Sequence, residues 1–457
     1  MMTVQEAAGI LGGECEGADA CFTGVSIDSR TLAHGDLFVA LTGPTFDGHD
    51  FIAEVGRKGA AAALVQRDRK NRSGVEIPRI EVENTRLALG KLASYWRKRF
   101  PVTVIAVTGS NGKTTVKEMV ASILRCAAGI AGQMNGSCEV LATEGNLNND
   151  IGMPLMLLRL KDGHRYAVME MGMNHAGEIA YLTHLAKPDV AVITNAGEAH
   201  VEGLGSVEAV ARAKGEIFEG LDQQGIAVIN ADDPYASLWH ELAGDRRVID
   251  FGLENQAKVS ARYQAEVAST RMMLILPGGS GELILQVPGE HNVRNALAAA
   301  AVGVALDLDI KSIVAGLAAF GGVKGRMQRK NGRAGSLLID DTYNANPDSV
   351  RAALAVLARA RGEKILVLGD MGELGADAGL LHVRIGREAR AAGVDKLLTL
   401  GELSARAAEQ FGRGASHSES IDELLVEVEK LLEPGVTLLI KGSRFMQMER
   451  VVRSIES

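Results

Sequence analysis

Residues 102–115 read V-T-V-I-A-V-T-G-S-N-G-K-T-T. The run 102–108 is apolar and β-branched without interruption, as in a parallel strand covered on both faces. From residue 113 the pattern changes period. Val116, Met119, Val120, Ile123 and Leu124 fall at i, i+3, i+4, i+7 and i+8, one face of a helix. Between them lie Gly109, Ser110, Asn111 and Gly112. A strand, a Gly-rich turn and a helix opening with Gly-Lys-Thr form the setting of a phosphate-binding loop. The two glycines let backbone N–H groups face a phosphate, and the helix N-terminus adds partial positive charge. Lys113 is placed to reach the β- and γ-phosphates of a nucleoside triphosphate, followed by Thr114, whose hydroxyl suits Mg²⁺, and Thr115. The loop is a variant, because the usual pattern wants Gly where Val107 stands.

Outward from this loop, short β-branched runs recur at 166–171, 190–194, 226–230 and 248–251, with helical stretches between several of them. The alternation predicts a parallel sheet with covering helices, closed by an Ala-rich helix from Asn292. A Gly-rich basic segment, 321–328, reads as a hinge. Strand and helix patterns then alternate again to the C-terminus, predicting a second doubly wound unit. Before Pro101 the pattern is shorter and mixed. The expected fold is therefore α/β in three domains: a small mixed N-terminal domain (1–98), a central parallel-sheet ATPase domain of P-loop type (99–320), and a Rossmann-like C-terminal domain (321–457).

Composition fits this layout. The chain has 457 residues and 46% apolar content, enough for several cores. A net charge of −8 with both signs interspersed disfavours a general nucleic-acid binder. Gly is abundant (53) while Pro is scarce (10), which fits tight turns between strands and helices and not a low-complexity linker. Four cysteines without a C-x-x-C spacing argue against a disulfide scaffold or a zinc knuckle. With no secretory pattern and no long apolar run, the expectation is a cytoplasmic protein that does not span a membrane.

G-S-N-G-K-T-T resembles the nucleotide loop of the Mur ligases and folylpolyglutamate synthases. Further segments match in order: D-S-R (28–30), F-D-G-H-D-F (46–51), G-N-L-N-N-D-I-G-M-P (145–154), M-E-M-G-M-N-H-A-G-E-I (169–179), T-N-A-G-E-A-H-V-E-G (194–203), A-K-G-E-I-F (213–218), G-E-H-N-V-R-N-A (289–296) and D-D-T-Y-N-A-N-P-D-S (340–349). L-G-D-M-G-E-L-G (368–375), K-G-S-R (441–444) and the N-L-N-N-D-I-G piece are similar to the family member that adds D-alanyl-D-alanine to a UDP-N-acetylmuramoyl-tripeptide. The D-[DN]-P-R signature of the member adding the third peptide residue is absent from the C-terminal domain; Asp232–Asp233–Pro234–Tyr235 lies in the central one.

The resemblance implies ATP-driven amide formation through an acyl phosphate, with ATP and Mg²⁺ as cofactors, and the expected state is a monomer. It implies Lys113 at the phosphates, Glu170 and Thr114 as magnesium ligands, His200 at the metal site, and Lys214 as a carbamate near a second Mg²⁺. A carbamate needs the neutral amine, and an ordinary lysine titrates near ~10.4, so burial beside cations is required. Asn295, on one helical face with Asn292, is implied near the adenine. Arg326, Asp341 and Tyr343 would bring the C-terminal domain onto the nucleotide. Ser29 and Arg30 are implied as UDP-sugar contacts, with an Arg fork suiting a diphosphate. Asn148 and Asn149 would line the sugar-peptide path. Asn344, Asn346 and the loop 370–374 are candidates for the D-alanyl-D-alanine pocket. Alone, Glu170 is also compatible with a solvated strand end, His200 with a structural role and Lys214 with a solvated helix face. Two competing functions are a sister ligase of the same fold and a non-enzymatic ATP switch; the metal-type residues beyond the loop disfavour the switch.

Overall fold

The computed structural model describes residues 1–67, 77–130, 140–198, 201–266 and 269–457. His200, singled out in the sequence, lies outside the described residues.

The apolar run before the loop forms the strand Thr103–Thr108, with Val104, Ile105, Ala106 and Val107 wholly buried. It is interior to a six-stranded, all-parallel sheet ordered Arg247–Phe251, Ile226–Asn230, Val190–Ile193, Thr103–Thr108, Tyr166–Glu170 and Val140–Ala142. From Thr103–Thr108 the chain moves to one edge, returns as Tyr166–Glu170, then crosses to Val190–Ile193 on the other side. Strand order thus reverses at the strand that carries the loop. Open α/β sheets bind ligands in the crevice beyond such a reversal. The helix Lys113–Ile130 buries Val116, Met119, Val120, Ile123 and Leu124, the face its spacing predicted.

The N-terminal unit holds a five-stranded mixed sheet. Three parallel pairings join Gly24–Ser26, Asp36–Val39, Ala62–Gln66 and Arg79–Val82, and Glu14–Glu16 adds an antiparallel edge. Its helix Thr85–Arg97 buries Leu89 and Leu92 in one core with Met156 and Leu157 of the central unit. Trp96 Nε1 donates to Leu160 O at 2.9 Å across the same junction.

The C-terminal sheet is ordered Gln328–Asn331, Leu337–Asp341, Val436–Lys441, Glu363–Gly369, Lys396–Leu400 and Ala415–Ser418, parallel except for its first strand. Three units built on largely parallel sheets with covering helices agree with the expected α/β class.

Some elements differ from the sequence expectation. An antiparallel meander, Ser260–Ala265, Thr270–Leu276 and Gly279–Leu285, sits before the Ala-rich helix Glu290–Ala305. A further helix, Ile310–Ala318, packs on Lys113–Ile130. A short 3₁₀ turn, Arg444–Met446, ends where Gln447 turns left-handed (φ 51°), and Glu449–Ile455 follows. The basic segment 321–328 is anchored, since Met327 is buried in the C-terminal core.

Candidate active site

A cleft of about 720 Å³ opens between the central and C-terminal units at the carboxyl ends of their strands. Among the residues expected at the site, Ser110, Asn111, Gly112, Lys113, Thr115, Asn148, Asn149, Glu170, Asn295, Arg326, Asp341, Tyr343, Asn344 and Asn346 line it. Gly109, Thr114 and Lys214 adjoin it through the contacts below. Ser29 and Arg30 do not line it.

The loop is built by two glycines that nothing else can replace without strain. Gly109 and Gly112 have φ 150° and 84°, and a Cβ would strike Thr194 Oγ1 at the first and Asn295 Oδ1 at the second. Asn195 holds the loop from the next strand: Asn111 N donates to Asn195 Oδ1 at 2.9 Å, and Asn195 Nδ2 donates to Asn111 O at 3.1 Å. Lys113 Nζ donates to Gly109 O at 2.6 Å, so its ammonium lies over the loop. Burial pushes its pKa down, while Glu170 opposes that shift.

Thr114 and Glu170 meet beneath the loop. Thr114 Oγ1 donates to Glu170 Oε2 at 2.8 Å, and Asn148 Nδ2 donates to Glu170 Oε1 at 2.8 Å. Glu170 ends its strand with its N–H on Thr143 Oγ1 at 2.9 Å. A hydroxyl and a carboxylate are hard oxygen donors of the kind Mg²⁺ takes. Among the described residues no group of three or more His, Cys, Asp or Glu gathers to hold a metal. One hydroxyl and one carboxylate therefore fit an ion that takes its remaining ligands from phosphate and water, as Mg²⁺ commonly does.

Lys214 lies in the last turn of the helix Val207–Gly215 and is 1% exposed. Burial first, and the nearby Lys113 second, push its pKa well below the ordinary lysine value. The C-terminal unit reaches over the loop. Arg326 Nη2 donates to Thr114 Oγ1 at 2.8 Å, and its guanidinium stacks 4.2 Å over the Tyr343 ring. Asp341 accepts from Met327 N at 3.1 Å and from Lys441 Nζ at 2.5 Å. Asn346 caps the helix Pro347–Leu357 and donates through Nδ2 to Asn111 Oδ1 at 2.9 Å. On the helix Glu290–Ala305, Asn292 donates to Pro288 O at 2.7 Å and accepts from Asn295 Nδ2 at 3.2 Å.

Other expected residues are engaged locally. Asn149 Oδ1 accepts from Gly152 N at 2.8 Å at the start of the helix Gly152–Leu157. Asn344 Oδ1 accepts from Ala345 N at 2.9 Å. Arg30 pairs with Asp28 through Nε at 2.9 Å and Nη2 at 2.7 Å, and this holds the Asp28 carboxyl down at about 2. Ser29 O accepts from Lys58 Nζ at 2.7 Å.

Sequence reasoning passed over Asn195, His291 and Lys441, which all line the site or its loop. Asn195 and Lys441 sit at or just past strand ends inside quoted motifs, so the strand-end rule was the available signal. It also passed over an interdomain cluster. Glu198 N donates to Asp348 Oδ2 at 3.0 Å, and Arg351 Nη2 donates to Glu198 Oε2 at 3.1 Å. No helix among the described residues is long and apolar enough to cross a membrane.

Comparison with known proteins agrees with this geometry. Family models match over three stretches: the Mur ligase family catalytic domain at 22–97, the Mur ligase middle domain at 107–303, and the Mur ligase glutamate ligase domain at 325–444. The chain is 42% identical over 460 residues to the UDP-N-acetylmuramoyl-tripeptide--D-alanyl-D-alanine ligase of Escherichia coli (strain K12), covering 100% of this chain and 98% of that one. A crystal structure of MurF from Acinetobacter baumannii superposes with TM-score 0.90 at 37% identity, covering 99% of this chain and 98% of that one. A MurF ligase from Thermotoga maritima in complex with ADP gives TM-score 0.82 at 30% identity, covering 94% and 96%. Full-length similarity to these proteins, three matching family models and a variant phosphate loop at a sheet's switch point agree: this chain belongs to the Mur ligase family.

Proposed function

We propose that this protein joins D-alanyl-D-alanine to UDP-N-acetylmuramoyl-tripeptide with ATP, completing the cytoplasmic pentapeptide precursor of peptidoglycan as a monomer. The observation that carries this reading is the loop Gly109–Thr115 with the Thr114–Glu170 pair beneath it and Arg326 of the C-terminal unit bonded to Thr114. Residues 1–98 would bind the UDP-sugar, with Ser29 and Arg30 as contacts, residues 99–320 ATP, and residues 321–457 the dipeptide.

The chemistry follows from what a carboxylate lacks, a leaving group. A carboxylate oxygen of the tripeptide attacks the γ-phosphorus, the bond to the β-phosphate oxygen breaks, and ADP departs. The amine of the dipeptide then attacks the acyl carbon, phosphate leaves, and the nitrogen gives up its proton. Both partners of the first step are anionic, so positioning and charge neutralisation dominate. Lys113, freed from Gly109 O, reaches the β- and γ-phosphates, and Gly112 N–H with the N-terminus of the helix Lys113–Ile130 would cradle them, while Asn195 holds Ser110 N and Asn111 N to fix the loop's curve. Thr114 and Glu170 would hold Mg²⁺, with His200 beside them; the ion neutralises phosphate charge when bound. Lys214, as its carbamate, would supply an anion near a second Mg²⁺. Its buried, depressed amine favours that modification, because CO₂ reacts with neutral amines. Asn295 lies on the adenine side, Asp341 on the ribose side, and Tyr343 with Arg326 covers the phosphates. Closure of the two units over the bound substrates would keep water from the acyl phosphate.

A phosphate-release assay tests the reading. Release should require ATP, the UDP-sugar tripeptide and D-alanyl-D-alanine together. Equal release without the dipeptide would refute it.

A further inference from the structure

Lys117 sits on the buried face of the helix Lys113–Ile130, 1% exposed. Val120, Ala121 and Leu124, three, four and seven positions on, are buried on the same face. An apolar side chain would suit that position. The ammonium is kept there at a desolvation cost that its contacts must offset. Its Nζ donates to Glu118 Oε1 at 2.5 Å and to Thr143 O at 2.6 Å.

The second contact leads to the site. Thr143, also 1% exposed, follows Val140–Ala142, a strand of three residues at the edge of the central sheet. Its N–H donates to Val168 O at 3.0 Å, and its Oγ1 accepts from Glu170 N at 2.9 Å. Five residues on, Asn148 Nδ2 donates to Glu170 Oε1 at 2.8 Å, and Asn148 O accepts from Gly172 N at 2.9 Å. The segment 143–148 thus holds Glu170 twice, its backbone through Thr143 and its carboxylate through Asn148. The helix grips the same residue from the other side, since Thr114 Oγ1 donates to Glu170 Oε2 at 2.8 Å. Lys117 follows Thr114 by three positions and Lys113 by four, so it lies one turn below both.

We propose that Lys117 is a positioning residue for Glu170. By anchoring Thr143 to the loop's own helix, it holds the Glu170 carboxylate in place for the magnesium ion that accompanies the nucleotide. This rests on the reading of Thr114 and Glu170 as ligands of that ion. In this role Lys117 touches neither ion nor nucleotide. Groups that support a metal ligand in this way commonly carry about 10- to 100-fold of metal affinity.

The test is calorimetric titration of the intact protein with a non-hydrolysable ATP analogue, in EDTA and across a series of Mg²⁺ concentrations. In the parent protein Mg²⁺ should tighten the analogue, and the midpoint of that gain reports the ion's hold on Thr114 and Glu170. Lys117→Met keeps the unbranched stem and removes the donor. It should raise the midpoint roughly 10-fold and leave binding in EDTA at the parent's value. Thr143→Val keeps the side chain's shape and removes the acceptor for Glu170 N–H. It should raise the midpoint by a similar factor, and it decides the matter if circular dichroism shows Lys117→Met unfolded. Thr143→Ser, which restores the hydroxyl, should return the midpoint toward the parent's. The double variant Lys117→Met, Thr143→Val should shift the midpoint no further than the larger single shift, because both changes remove one support. An unmoved midpoint in a folded single variant overturns the proposal. So do equal losses with and without Mg²⁺, the mark of a generally loosened loop, and so do fully additive shifts. Analogue binding that does not respond to Mg²⁺ in the parent overturns the reading of Glu170 itself and the proposal with it, a result distinct from any seen only in the variants.

Discussion

Glu198→Ala should loosen the closed arrangement of the central and C-terminal units without disturbing either one. The Glu198 side chain meets Arg351 Nη2 at 3.1 Å and Arg384 Nη1 at 4.0 Å, both across the interface. Arg351 itself keeps Asp348 and Glu388, so its own unit stays ordered. The pair is about one third exposed on each side, 29% for Arg351 and 33% for Glu198. It therefore lies between a solvated ion pair, at ~0.2–1 kcal/mol, and a sheltered charged hydrogen bond, at ~1.5–3 kcal/mol. About 1–2 kcal/mol of closure free energy should be lost, which lowers the closed-to-open ratio roughly 5- to 30-fold. Among the described residues three hydrogen bonds remain across the interface: Asn346 to Asn111, Arg326 to Thr114, and Glu198 N to Asp348. Closure should thus be weakened and not abolished, and saturating nucleotide analogue with UDP substrate should restore it, by motion about Gly321–Gly325. Small-angle scattering reads this directly. The radius of gyration of the ligand-free variant should exceed that of the parent, and the two should converge when ligands saturate. Identical scattering without ligands, with unchanged kcat/KM, would refute the latch.

Lys113→Ala should remove almost all turnover while circular dichroism stays unchanged, because its ammonium is the loop's own cation at the phosphates; near-normal turnover would exclude the phosphate-loop role. Lys214→Ala should lose most activity, and acetate should restore part of it by occupying the vacated anion position; full activity in bicarbonate-free buffer would return Lys214 to a structural role. The third expectation concerns acid. His382 is fully buried, with Nδ1 on Ala378 O at 2.7 Å and Nε2 accepting from Met371 N, so it folds as the neutral ring. Burial pushes its pKa below the ordinary imidazole value, opposed by the Ala378 carbonyl and then by Asp370, and aided by Arg406. The unfolded chain then binds more protons below about pH 6.5, so stability falls as pH drops through that value. Melting curves between pH 7.5 and 5 should show this loss, and His382→Gln, less stable at neutral pH, should show less pH dependence; parallel curves would refute the assignment.

The core of the fold was readable where burial leaves a strong local signature. Val104–Val107 had to be apolar on both faces, and the helix after them had to carry an apolar stripe. Edge and surface elements leave weaker marks. Val140–Ala142 is three residues long, and Ser260–Ala265 has no fully buried residue, so neither stands out from its surroundings. The site was readable as a set of residues but not as a network. Asn346 was placed in the dipeptide pocket, yet the N-P-D-S spacing already spelled a helix cap, and the structure adds its bond to Asn111. Glu198 and Arg351 stand 153 positions apart, and no local pattern encodes such a pair.

Mass spectrometry of the product made from ATP, UDP-N-acetylmuramoyl-tripeptide and D-alanyl-D-alanine tests the central claim most directly. The account predicts one new species, the tripeptide precursor plus the dipeptide less one water, formed in step with ADP and phosphate. ATP consumed without that mass, or a mass showing a single amino acid added, would contradict it.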